Sequence, residues 1–245
     1  DNELKIQAPK GVMNQELLQE IKLHKEEIIL FLTNYTSEQA DDSIVTKAPF
    51  AANYPLSSSQ KRLWILSQFQ EADIAYNMPG FYHFSGQLDI QSLDRAFKAL
   101  VDRHEILRTV FREGDMDEVR QFIFPAQSLN TSISYIDLSD ISDKSEQTNQ
   151  LNAIVQDAIE TSFDLSIGPL IAIKLIKIES GNYLLSYIMH HIISDGWSMK
   201  VMMREMLLLY NSFVTNQAFP LEPLEIQYKD FSVWQQNQLE KGALL

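Results

Sequence analysis

The apolar positions of this chain fall into separate blocks whose spacing switches between strand and helix periods. Residues 4–8 (Leu-Lys-Ile-Gln-Ala) alternate like a short strand, and Pro9-Lys10-Gly11 breaks it. Asn14 is placed to cap a helix, with Glu16 in its first turn. Leu17, Leu18, Ile21, Ile28, Phe31 and Leu32 then recur at helical spacing to about Thr33. A strand and one helix bury little area alone. The segment therefore reads as the end of a small domain whose beginning is missing, or as an arm packed on a partner. Residues 35–53 hold Thr36-Ser37-Glu38-Gln39-Ala40-Asp41-Asp42-Ser43 and Pro49, a polar, acidic run expected to be a linker.

From residue 54 the pattern predicts the main domain. A helix capped by Ser57 or Ser58 carries Leu63, Trp64, Leu66 and Phe69. A strand follows over 79–86, then a helix over 90–104 capped by Asp89 with Leu93, Phe97, Leu100 and Val101 on one face. Strands are predicted over 107–112, 118–124 and 132–137, the first two joined through Gly114-Asp115. A helix is predicted over 144–163. Strands over 170–178 and 183–190 flank Ser180-Gly181-Asn182, a hairpin signal. Two more helices are predicted, from Trp197 to Phe213 and from Tyr228 past Trp234. Hairpins and crossovers in irregular alternation point to an α/β sandwich with a mixed sheet.

Composition narrows the function classes. The chain has no cysteine, which removes disulfides, thiolate zinc sites and cysteine nucleophiles and agrees with a cytoplasmic protein. A net charge of −13 argues against a nucleic-acid surface. No apolar run reaches the roughly 18 residues of a membrane span. The eight glycines are scattered, and no phosphate-binding loop is present.

The densest chemistry is Met189-His190-His191-Ile-Ile-Ser194-Asp195-Gly196-Trp197-Ser198, where an alternating strand meets a helix. Strand side chains alternate faces. If the strand runs through the pair, His191 shares a face with Leu185, Tyr187 and Met189, and His190 with Leu184, Ser186 and Ile188. One pocket then centres on only one imidazole. Imidazole can accept a proton near neutral pH, and a helix N-terminus beside it suits an oxyanion. Asp195 read plainly is a helix cap, and Gly196 eases the turn. A metal site fits poorly because adjacent histidines point apart and no third ligand lies at helical spacing. A serine hydrolase lacks its Gly-x-Ser-x-Gly elbow. The spacing His190-x-x-x-x-Asp195 also matches glycerolipid acyltransferases, with His190 as base, although their usual basic surface is missing from this acidic chain.

Four segments together resemble the condensation domain of non-ribosomal peptide synthetases. They are Ser58-Ser-Gln60-Lys-Arg62-Leu63-Trp64-Ile-Leu66, Arg103-His104-Glu105-Ile-Leu107-Arg108-Thr109-Val-Phe111, Met189 to Ser198 (the HHxxxDG signature) and Tyr228-Lys-Asp230-Phe-Ser-Val233-Trp234. The resemblance implies one lobe, over 54–245, of a chloramphenicol-acetyltransferase-like fold, with the C-terminal lobe absent. It implies amide formation between aminoacyl or peptidyl thioesters, carried on the phosphopantetheine of carrier proteins and not on any cofactor of this chain. His191 is then the catalytic histidine, acting as base or by positioning. His190 packs, and Asp195 is structural and expected to pair with Arg103. Gly196 lets the backbone approach substrate, and Arg108 supports the site. Epimerisation domains share the signature. Heterocyclising relatives carry aspartates in place of the histidine pair.

Residues 1–34 resemble part of a TubC-type docking domain, which implies homodimerisation and a clasp for the C-terminal tail of an upstream subunit. Without a second lobe the isolated chain is expected to be inactive, leaving a docking and carrier-binding module as the alternative.

Overall fold

The computed structural model describes residues 15–29, 44–69, 74–114, 118–129 and 131–242. The chain divides between Val45 and Thr46 into two units. In the first, helix α1 spans Gln15–Leu23, and helical backbone resumes over 25–29, where His24 Nδ1 meets Glu27 Oε2 at 2.8 Å. The strand expected over 4–8 and the end of the first helical segment lie outside the described residues.

The second unit holds two sheets. The larger has the order β2-β7-β6-β5, from β2 (Asn77–Ser85), β7 (Asn182–His190), β6 (Ile171–Glu179) and β5 (Ser134–Asp137). β5 and β6 are parallel, and the other pairs are antiparallel, so the sheet is mixed as the pattern predicted. The smaller sheet has the order β1-β4-β3, from β1 (Tyr54–Pro55), β4 (Val119–Ile123) and β3 (Thr109–Glu113). Among the described residues, five α-helices accompany the sheets: α2 (Ser58–Ser67), α3 (Ile90–Arg103), α4 (Lys144–Ile159), α5 (Gly196–Thr215) and α6 (Tyr228–Glu240).

Strand β7 is central, and its last six residues are all buried. Leu185, Tyr187 and Met189 join one core with Leu93, Phe97 and Leu100 of α3 and Met202, Met206 and Leu209 of α5. Burying each such side chain contributes about 1.5–3 kcal/mol. Ile188 is equally buried but outside that cluster, and α4 packs along β6 and β7. A strand covered on both faces reads as a near-continuous apolar run, and Tyr183 to Met189 is one. The hairpin before it turns at Gly181, whose φ of 72° favours glycine. At Gly80 the constraint is space, because a Cβ there would run into the Tyr187 ring from the neighbouring strand.

Caps start the helices where the sequence placed them. Ser57 caps α2 in a reciprocal box with Gln60, and Asp89 accepts from Gln91 and Ser92 N–H at the head of α3. Most boundaries shift by a residue or two, and two differences have a clear physical cause. Residues 105–108 form a 3-10 turn ahead of β3, held by Thr109 Oγ1–H donating to the Glu105 carbonyl (2.7 Å), and Leu107 is buried there. Helix α4 ends at Ile159 and does not reach Phe163. Its last carbonyl, that of Ile159, and the Thr161 carbonyl just beyond the helix are taken by Asn77, whose Nδ2 donates to them at 3.1 Å and 2.7 Å. Such a long-range cap leaves no local pattern.

Candidate active site

Strand β7 ends on His190, and a turn runs from His191 to the N-cap of α5. The strand does not continue through the histidine pair, so the shared-face arrangement expected for His191 does not arise. Only 2% of His190 is exposed, and it sits near the rings of Tyr76 (6.4 Å) and Phe163 (6.5 Å). Burial, with the adjacent His191, depresses its pKa to about 4, so it is neutral at physiological pH. Its Nδ1 accepts the Ile192 N–H at 3.1 Å. A neutral, buried ring with Nδ1 engaged is poorly suited to the base role that the acyltransferase spacing implied for His190.

His191 is exposed. Its backbone N–H donates to the Tyr76 carbonyl at 2.8 Å, fixing where the residue leaves the sheet. Its Nδ1 lies 2.6 Å from the Ser194 carbonyl. A carbonyl only accepts, so Nδ1 carries the proton, and Nε2 of the neutral ring presents a lone pair. The bond orients the ring and selects the tautomer able to receive a proton.

Asp195 caps α5, accepting from Ser198 N–H (2.7 Å) and Ser198 Oγ–H (2.5 Å), while the Asp195 N–H donates to Ser198 Oγ (2.7 Å). These bonds hold its carboxyl below the usual carboxylate range, with help from Trp197 N–H. The Trp197 and Ser198 N–H groups at the head of α5 are thus directed at Asp195, not offered to an oxyanion. Gly196 is exposed, its φ is not positive, and a Cβ there would meet nothing within 4 Å.

The expected pair of Asp195 with Arg103 does not form. Arg103 closes α3 and lies against the middle of α5, where Nε donates to Glu205 Oε2 at 3.0 Å and Nη1 to the Glu222 carbonyl at 2.5 Å. Glu205 is roughly 15 Å along the helix from Asp195 at 1.5 Å per residue. His104 Nε2 meets the same Glu205 oxygen at 2.7 Å. Burial pushes the Glu205 carboxyl up, but His104 and Arg103 outweigh it and hold the group below its ordinary value. Arg108 is engaged by the backbone beside the smaller sheet. Its Nη1 donates to the Phe124 carbonyl at 2.6 Å and ties the 3-10 turn ahead of β3 to the residue that follows β4.

Several residues to which the sequence analysis gave no individual role support the site. Gln60 is 1% exposed and sits at a crossing of motifs. Its Nε2 reaches the Ile192 carbonyl (3.5 Å) and Gln121 Oε1 (3.3 Å), and its Oε1 takes Ser57 N–H (3.0 Å) and Ser232 Oγ–H (3.5 Å). Ser57 Oγ meets Tyr228 Oη at 3.0 Å. Burial raises the Tyr228 hydroxyl pKa, and the nearby Asp195 charge adds to it. Glu105 pairs with Lys229, and its N–H donates to Gln227 Oε1 (3.1 Å). All four sequence motifs are therefore tied together around the histidine turn. Gln60 lies in the first motif at capping-box spacing from Ser57, whereas nothing local hinted at Glu205. Among the described residues, no group of three His, Asp or Glu side chains is arranged to hold a metal. No helix among them is long and apolar enough to cross a membrane.

An α/β sandwich lobe with a strand-end histidine pair and a capped helix behind it defines a class, and comparison with known proteins supplies the family. Residues 51–245 match the condensation domain, and residues 1–34 match the TubC N-terminal docking domain. The chain belongs to the condensation-domain family.

It is similar to Gramicidin S synthase 2 of Aneurinibacillus migulanus (40% identity over 78% of this chain and 4% of that protein). It is also similar to surfactin synthase subunit 1 of Bacillus subtilis (36% over 90% and 6%). Among solved structures, a chain of the complex of the X-domain and OxyB from teicoplanin biosynthesis superposes with a TM-score of 0.71 (26% identity, 82% of this chain, 41% of that one). The first condensation domain of the calcium-dependent antibiotic synthetase superposes with 0.68 (20% identity, 79% and 44%). The chain therefore spans a little over two fifths of these solved chains and a few per cent of the synthetases.

Proposed function

We propose that residues 54–245 are the N-terminal lobe of an amide-forming condensation domain, and that His191 is its catalytic residue. The observation that carries this is the His191 ring: Nδ1–H is committed to the Ser194 carbonyl, which leaves an exposed Nε2 lone pair. The acceptor's amine nitrogen attacks the donor's thioester carbonyl, the C–N bond forms and the C–S bond breaks. Nε2 receives or holds the amine proton, which passes to the departing pantetheine thiolate. Much of the rate comes from holding two tethered substrates together, which a second lobe closing over this face would supply.

In this reading Asp195 fixes the turn to α5, and Gly196 leaves room for substrate beside the backbone. Arg103 buttresses the lobe through Glu205, and Arg108 through the Phe124 carbonyl. Carrier proteins in the cytoplasm deliver both substrates on phosphopantetheine. Residues 1–34 dock an upstream subunit's C-terminal tail, and exposed Leu23 on α1 suits such packing.

The test is product mass in the synthetase subunit that carries this chain, with donor and acceptor carriers loaded. His191→Ala is expected to abolish the amide product while the protein stays folded. Undiminished product would remove His191 from the mechanism.

A further inference from the structure

Four consecutive backbone N–H groups follow β7, and each has one acceptor. His191 N–H goes to the Tyr76 carbonyl (2.8 Å), Ile193 N–H to the His190 carbonyl (3.1 Å) and Ser194 N–H to the His191 carbonyl (3.4 Å). Ile192 N–H alone goes to a side chain, His190 Nδ1, at 3.1 Å. Ile192 is 3% exposed, so water does not replace that acceptor. The pattern, a side chain accepting the N–H two residues on, is what an Asx turn does with a carboxamide.

We propose that His190 is a positioning residue whose Nδ1 templates the turn and thereby sets the tautomer and direction of the His191 ring. The path is short and covalently continuous. Nδ1 of His190 holds Ile192. The turn so closed brings Ser194 back toward the strand end, where its Oγ lies 3.4 Å from the His190 carbonyl. The Ser194 carbonyl then takes His191 Nδ1–H at 2.6 Å. The acceptor role requires that His190 carry its proton on Nε2 and never on Nδ1. The enclosing Tyr76 and Phe163 rings suit that neutral form. Packing alone explains a large side chain at 190 but not the choice of an acceptor aimed at the one N–H without a carbonyl. The catalytic consequence rests on the condensing role of His191; the turn itself does not.

Two substitutions separate the roles. His190→Asn keeps an acceptor for an N–H two residues on and loses the aromatic volume. His190→Phe keeps the volume and loses the acceptor. Ring nitrogen NMR on this 245-residue chain reads the tautomers directly. In the wild type, His190 is expected as Nε2–H and His191 as Nδ1–H. In His190→Phe the His191 ring is expected to lose its fixed tautomer, and in His190→Asn to keep it. In the loaded synthetase subunit, kcat for His190→Phe is expected to fall by up to about 100-fold with KM little changed, and His190→Asn to restore most of it.

An Nδ1–H tautomer at His190 in the wild type overturns the proposal. So does a folded His190→Phe protein with an unchanged His191 ring and wild-type kcat. If neither variant folds, the wild-type tautomer decides. If the wild-type subunit makes no amide, the proposed activity fails, while the ring measurements still judge the turn.

Discussion

Neutralising Glu205 is expected to destabilise this fold far more than neutralising Asp195, although Asp195 belongs to the signature. Glu205→Gln and Asp195→Asn each replace a carboxylate by a carboxamide of the same shape. Glu205 and Arg103 side chains are only 7% and 11% exposed, and His104 shares the same oxygen. Breaking a buried pair on one side leaves the other charge uncompensated and costs about 3–5 kcal/mol. Arg103 keeps its bond to the Glu222 carbonyl, so the low end, about 3 kcal/mol, applies. At about 2–4 °C per kcal/mol for a domain of this size, the thermal midpoint should drop by roughly 6–12 °C. Asparagine caps a helix about as well as aspartate, so Asp195→Asn should cost under about 1 kcal/mol.

Urea unfolding at pH 7, followed by circular dichroism, compares the two midpoints with wild type. The Glu205 carboxyl is depressed in the folded state. Its contribution is therefore complete above the unfolded carboxylate value and lost as pH falls through the folded one. The gap between wild type and Glu205→Gln should close correspondingly in acid. Equal losses at pH 7, or a larger loss for Asp195→Asn, would refute Glu205 as the partner of Arg103 and restore the Asp195 pairing that the motif implied.

Further outcomes follow from the same geometry. His190 has a folded pKa of about 4 against about 6.5 unfolded, so the unfolded chain binds more protons between those values. Stability should be complete above about pH 6.5 and fall by about 3 kcal/mol as pH drops toward 4, a slope that urea midpoints should find flattened in His190→Asn. Gly196→Ala should leave the thermal midpoint unchanged or raise stability by about 0.4–1 kcal/mol, because no neighbour meets the new methyl. Amide formation by the loaded synthetase should nonetheless fall, and an active, stabilised variant would remove the substrate-approach role. Gly80→Ala should cost about 1–3 kcal/mol by forcing Tyr187 out of its place between strands, measurable as a lower urea midpoint.

Much of this molecule was legible in one dimension. The apolar run before the histidines marked a central strand, and Ser57 and Asp89 marked helix starts. Ser180-Gly181 marked the hairpin, and four motifs marked the family. The strand, the caps and the hairpin depend on residues within a few positions of one another, where backbone sterics, capping bonds and side-chain period act directly; the family was read from motif identity and order. The tertiary structure decided which histidine is buried and which is exposed. It ended β7 at His190, gave Arg103 to Glu205 and not to Asp195, and stopped α4 with Asn77. It also placed Gln60 against the Ile192 carbonyl. Those outcomes join residues far apart in the chain. A charged or polar side chain carries no local mark of its partner, since the choice is made by whichever acceptor packing brings within about 3 Å.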